Sequence, residues 1–198
     1  MHTAAILAGG NGRRLGGVSK PLLSVGDKRI IDRQLITLQL VVDHIAIVAN
    51  DQSLYSDLDI TVWPDLFQNC GPLGGLLTAL LNAKTSQVLI IAGDMPFLSI
   101  PILTRLLQLG RSMDVAIPRS SDGLQPLCGS YRSDCAPTIR RNIEAGILKV
   151  HDILPLLNVC EIQSEELSKL NPQQNALFKI NTLKDYARAQ TLAQRYDT

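Results

Sequence analysis

Residues 88–92 read VLIIA, five apolar side chains in succession. In an extended strand successive side chains point to opposite faces, so this run needs apolar cover on both sides. A sheet with one wet face cannot supply that cover, whereas a central strand sandwiched between two helical layers can. The rest of the chain fits the same plan. Short apolar runs at residues 3–8, 44–49, 60–63, 115–118 and 127–131 read as further strands. Between them, residues 30–41, 73–83 and 100–109 space leucine and isoleucine for one buried helix face. This alternation predicts an α/β fold: a three-layer, mostly parallel, Rossmann-like sheet with helices on both faces and right-handed crossovers.

The second half is less regular. SDCAPTIRRNIEAG reads as a helix stopped at Gly146, LKVHDILPLL as a short helix broken near Pro155, and NVCEIQ as a late strand. ALFKINTLKDYARAQTLAQRY reads as a strand turning into a last helix, with Thr182 as its N-cap. With no repeat and no long linker, the 198 residues predict one domain over 1–198.

The formal net charge of +1 provides no global field for nucleic acid or an acidic membrane, so any bound anion must be gripped by local groups. Cys70, Cys128, Cys135 and Cys160 form no CxxC pair and read as reduced thiols, and His2, His44 and His151 make no metal-binding spacing. The start MHTAAILAGG lacks the charged leader of a secretory signal, and no apolar run approaches the ~20 residues of a membrane span. A cytoplasmic protein is the expectation.

The strand at 3–8 breaks into GGNGRRLGGVSK. A Walker loop fails there, because Gly12 and Gly17 are correctly spaced but Val18 stands in the lysine position. The dinucleotide fingerprint fails as well: Gly10 and Gly12 fit, and Leu15 occupies the third glycine place. The physics of an anion loop survives both failures. Glycines let backbone N–H groups approach phosphate, and Arg13, Arg14 and Lys20 can neutralise it.

The strand at 88–92 continues into Gly93, Asp94 and Pro96. Asp94 at a strand tip can close a turn or cap a helix; beside a triphosphate it can instead hold Mg²⁺, a hard cation that prefers oxygen. Asn50 and Asp65 end two other strands and read equally as turn residues or as ligand contacts. Gly71, Gly74 and Gly75 bracket a helix start, either for tight packing or for close approach of a ligand.

Taken in order, LAGGNGRRLGGVSK, AN, PD with GPLGG, and GDMPFL resemble the nucleotidyltransferase family of sugar-nucleotide and cofactor pyrophosphorylases. QPLCGSYR, FKINT and the short chain look most like its molybdopterin branch, which joins GMP from GTP to molybdopterin and releases pyrophosphate. The resemblance spans nearly the whole chain. It implies that Leu7, Ala8, Gly9 and Gly10 line the nucleotide and that Lys20, with Arg14, meets its phosphates. Asn50, Asp65 and Gly71 become nucleotide contacts, Asp94 a nucleotide and Mg²⁺ site, and Asn181 a position that assists the metal. The catalytic set so implied is Lys20, Arg14 and Asp94. GTP, molybdopterin and other proteins of cofactor assembly are the implied partners. Ser19 stands where the family often has aspartate. The rival readings are a molybdopterin cytidylyltransferase, a small sugar-phosphate nucleotidyltransferase and a noncatalytic nucleotide-binding protein.

Overall fold

The computed structural model describes residues 1–9 and 19–195. Its main sheet has eight strands: β1 (Thr3–Leu7), β4 (His44–Val48), β5 (Thr61–Trp63), β6 (Gln87–Ala92), β7 (Val115–Ser120), β8 (Gly123–Leu124), β9 (Cys128–Arg132) and β10 (Val159–Ile162). Along the sheet the order is β10-β7-β9-β6-β1-β4-β5, with β8 paired to β7. All neighbours run parallel except β9, which is antiparallel to both β6 and β7, and β8, which is antiparallel to β7. A two-residue-per-strand hairpin, β2 (Ser24–Val25) and β3 (Lys28–Arg29), stands apart.

Alternation along the strands sorts the core into two layers. Ala4 and Ile6 of β1, with Leu89 and Ile91 of β6, face the apolar stripes of α1 (Ile30–Leu38) and α3 (Ile100–Leu109). Ala5 of β1, with Val88 and Ile90 of β6, faces α2 (Gly71–Asn82) and α4 (Ala136–Glu144). Every residue of β6 is buried, as its composition requires. The expected three layers are present.

Most element boundaries match the sequence reading to within a few residues. The helix of SDCAPTIRRNIEAG ends where Gly146 takes φ 77°, so that the Ile147 N–H can close back on the Asn142 carbonyl (2.9 Å). α5 (Val150–Ile153) gives way to a 3₁₀ turn containing Pro155. One expectation needs correcting: residues 176–181 form no strand. That segment crosses the sheet's edge instead of joining it, held by the Ile180 N–H on the Asp94 carbonyl (3.0 Å). α7 (Leu183–Ala193) then starts at Thr182, whose hydroxyl accepts from the Asp185 N–H while the Asp185 carboxylate accepts from the Thr182 N–H. Its Ala189 and Ala193 pack with Ile180, Phe97, Val25 and Ile30, tying the chain's last helix to the β2–β3 hairpin. α6 (Ser164–Leu170), the remaining helix, has no fully buried residue.

All four cysteines are free thiols. Burial pushes the Cys128 and Cys135 thiols up to about 12, so both stay protonated and inert at neutral pH. Dithiobis-nitrobenzoate at pH 8 should therefore label Cys70 and Cys160 quickly and the other two only on unfolding. Rapid native labelling of all four would contradict the buried placement.

Candidate active site

The strand register creates the site. Trp63, Val48, Leu7 and Ala92 lie in one row across β5, β4, β1 and β6, all parallel. Two residues beyond that row the chain reaches Asp65, Asn50, Gly9 and Asp94. The four tips thus emerge along one edge of the sheet. The chain proceeds from β1 outward through β4 and β5, then returns to place β6 on the other side of β1. The crevice between β1 and β6 is the topological switch point, where open α/β sheets bind ligands.

A cavity of about 250 Å³ occupies that position, lined by Leu7, Ala8, Gly9, Lys20, Pro21, Pro72, Ala92, Gly93, Asp94 and Leu127. Lys20 opens a 3₁₀ turn, Lys20–Leu22, whose Pro21 is seated against Gly93. A Cβ on Gly93 would lie 2.6 Å from Pro21 Cγ and 3.0 Å from the Leu7 carbonyl, so only glycine permits this contact. The start of the turn is anchored by a 3.1 Å hydrogen bond between the hydroxyls of Ser19, the residue before it, and Tyr55. Burial raises the Tyr55 pKa, keeping that phenol protonated and able to donate.

Three residues far apart in sequence meet here. Lys20 Nζ donates to Asp94 Oδ2 (3.1 Å) and to Asn181 Oδ1 (2.8 Å). The ion pair is partly buried, with the lysine and aspartate side chains 24% and 17% exposed. Asp94 Oδ1 is buried and has no hydrogen-bond partner among the described residues. An unpaired inner carboxylate oxygen is costly in a low-dielectric site and calls for a donor or a cation. Asp94 does not cap the following helix, since Ser99 holds the N-cap position of α3. Among the described residues no group of three or more His, Cys, Asp or Glu could hold a metal. One carboxylate and one amide oxygen nevertheless fit a hard divalent cation that takes its remaining ligands from phosphate and water.

The other expected contacts lie further along the edge. Asn50 is exposed beyond β4. Asp65 closes a turn, its Oδ1 accepting from the Phe67 N–H and the Thr78 hydroxyl (both 3.0 Å). Adjacent strands lie about 4.8 Å apart, so Asn50 and Asp65 are roughly 10 and 14 Å from the Asp94 strand, too far to share one phosphate with it. Gly71 takes φ 58° and has open space around it, whereas Gly74 is packed tightly on the Phe67 carbonyl and Gly75 makes ordinary contact with Leu7. Gly10 and Arg14, with Arg13, lie outside the described residues.

Two groups escaped the sequence reading. Gln34 is fully buried in α1, and its amide donates to the Ala92 carbonyl (2.8 Å) and the Met95 carbonyl (3.0 Å), clamping the turn that carries Asp94. A glutamine within the stripe of Ile31, Leu35 and Leu38 was the available signal. The second is a neighbouring cavity of about 440 Å³, which shares Pro72 and Leu127 with the first and includes Gln125, Lys149, His151 and Lys179 in its lining. Lys179 Nζ donates to Gln125 Oε1 (2.6 Å), and the Gln125 amide donates to the Ser120 hydroxyl (2.9 Å).

A mostly parallel three-layer sheet, with lysine, aspartate and asparagine converging at its switch point, defines a nucleotide-handling α/β protein of the nucleotidyltransferase kind. The chain belongs to the MobA-like NTP transferase family, whose domain matches residues 4–155. It is 34% identical over 196 residues to a probable molybdenum cofactor guanylyltransferase of Pelotomaculum thermopropionicum, covering 99% of this chain and 95% of that protein. Similarity to the molybdenum cofactor guanylyltransferase of Desulfosudis oleivorans is 30% identity over 189 residues, 95% of this chain and 94% of the relative. The crystal structure of molybdopterin-guanine dinucleotide biosynthesis protein A from Archaeoglobus fulgidus superimposes with a TM-score of 0.85 at 28% identity, covering 98% and 99% of the two chains.

Proposed function

We propose that this protein transfers GMP from GTP to the terminal phosphate of molybdopterin, releasing pyrophosphate and forming the guanine dinucleotide cofactor. The relatives carry that activity in their names, and the convergence of Lys20, Asp94 and Asn181 at the switch-point crevice is the observation that carries it to this chain. The triphosphate lies against Gly9 between β1 and β6, with the nucleoside extending toward Gly71, Asn50 and Asp65. Gly10 and Arg14 complete the phosphate loop.

The acceptor phosphate, already an anion near neutral pH, attacks the α-phosphorus in line. A new P–O bond forms to the acceptor as the bridge between the α- and β-phosphates breaks, and pyrophosphate departs. No side chain need act as nucleophile, so the protein contributes position and charge. Lys20 stabilises the charge gathering on pyrophosphate. Asp94 and Asn181 are the residues that would hold Mg²⁺, which when bound neutralises phosphate oxygens. Gln34 holds the Asp94 turn in register through its two carbonyl contacts.

The second cavity suits the acceptor: it adjoins the first, and its two lysines favour a phosphate-bearing ligand. Lys179→Ala should raise the KM for molybdopterin roughly tenfold, the scale of one charge-assisted contact, with GTP affinity unchanged. An unchanged KM would remove this cavity from the acceptor's path. Four free cysteines suit a reducing compartment, and we place the reaction in the cytoplasm. Among the described residues no helix is long and apolar enough to cross a membrane.

Incubation with molybdopterin, Mg²⁺ and each of GTP, CTP, ATP and UTP, followed by mass analysis of the pterin, tests the function. A guanine dinucleotide is the expected product; a cytosine dinucleotide or an unmodified pterin would contradict it.

A further inference from the structure

We propose that in the free protein the Lys20 ammonium is itself the resident cation of the Asp94–Asn181 pair, and that a triphosphate must draw it away before a divalent cation can take those oxygens. The inference rests on the reading of this crevice as a metal–triphosphate site. Two of the oxygens open to a metal, Asp94 Oδ2 and Asn181 Oδ1, are contacted by Lys20 Nζ at 3.1 and 2.8 Å, and the third, Asp94 Oδ1, belongs to the same ion-paired carboxylate. An ammonium has three donors and no acceptor, so it cannot share that position with a second cation. Paired with Lys20, the lone carboxylate adds no net negative charge to attract a divalent ion, and the described residues hold no cluster of three or more acidic, His or Cys groups.

The turn that carries Lys20 is built so that the side chain, not the backbone, moves. Pro21 is seated on Gly93, and Ser19 is tied to Tyr55. Only the flexible four-carbon stem is left to swing the charge from carboxylate to phosphate. A triphosphate supplies several anionic oxygens in place of one carboxylate, and the released Asp94 and Asn181 oxygens then complete the ligands of an incoming metal. Divalent cation and triphosphate therefore bind cooperatively, and metal alone binds poorly.

The test is a Mn²⁺ titration followed by electron paramagnetic resonance, with and without α,β-methylene GTP, which cannot be transferred. Wild type should bind Mn²⁺ weakly alone and at least about tenfold more tightly with the analogue, whose phosphates also ligate the metal, so the contribution of the Lys20 charge is read from the variant. Lys20→Met, which retains an unbranched apolar stem, should bind Mn²⁺ alone at least about tenfold more tightly than wild type. The double variant Lys20→Met/Asp94→Asn should lose that gain. The wild-type comparison needs no variant, and circular dichroism with thermal melts checks that the variants fold. A wild type that binds Mn²⁺ equally well with and without the analogue overturns the inference while leaving the nucleotide site standing. A gain that survives in the double variant overturns it as well, because the new metal is then elsewhere. A protein that takes neither the analogue nor its Mn²⁺ complex overturns both the inference and the reading beneath it.

Discussion

Asp94→Ala is expected to lower the rate of nucleotidyl transfer roughly 10³-fold, at the upper end of what one preorganised electrostatic group contributes at a reacting centre. The outer carboxylate oxygen of Asp94 carries Lys20, its inner oxygen is buried with no partner among the described residues, and the residue's backbone carbonyl receives the Ile180 N–H. Removing the side chain spares that backbone bond and the Gln34 clamp on either side, so the fold should survive. GTP affinity should fall less than turnover, since Lys20 and the loop still meet the phosphates. Pyrophosphate release measures the first quantity and titration calorimetry the second. Turnover near wild type with Mg²⁺ would show that Asp94 does not hold the metal.

Gly93→Ala tests the site from its backbone and should be nearly as damaging. The new Cβ would meet Pro21 Cγ at 2.6 Å and the Leu7 carbonyl at 3.0 Å. Strand β1 is hydrogen-bonded on both sides and cannot yield, so the Lys20–Leu22 turn must. Overpacking of this kind costs about 1–3 kcal/mol. In a chain of this size that is a fall in Tm of about 2–12 °C. The catalytic loss should be larger: a displacement of about 1 Å at a positioned group can cost ~10²-fold in rate. A variant that melts a few degrees low yet keeps full kcat would show that the Pro21 contact does not position Lys20.

Much of this was legible from residues alone, for identifiable reasons. The buried strands show because VLIIA and its neighbours are apolar runs, and the switch-point crevice shows because strand tips of a parallel sheet share an edge. The mostly parallel order was legible, but the reversed direction of β9 was not. β9 has an apolar pattern that suits either orientation, and only the short return from β7 through β8 makes it antiparallel. α6 escaped notice because SEELSKL buries no residue completely and so has no clear apolar stripe. The β2–β3 hairpin is too short for periodicity, its turn marked only by Gly26 at φ 65°.

The site divides in the same way. Asp94 follows Gly93 at a strand end and Lys20 closes the glycine-rich stretch after β1, so both announce themselves, whereas Asn181 came only through family resemblance. No local pattern could place a residue near the C-terminus against a loop near the N-terminus; α7 does so by docking on the β2–β3 hairpin. Asp65 fills the turn role that the sequence left open beside ligand contact. It shares the edge with Asp94, but its Oδ1 is already engaged by Phe67 and Thr78 in shaping the turn.

The central claim is that a triphosphate enters between β1 and β6 and exchanges partners with Lys20. A crystal structure with α,β-methylene GTP and Mg²⁺ tests it most directly. Phosphates should lie beside Gly9, with Lys20 Nζ moved from Asp94 onto a phosphate oxygen and the metal on Asp94. An analogue bound elsewhere, or bound here with the Lys20–Asp94 contact intact, would contradict it.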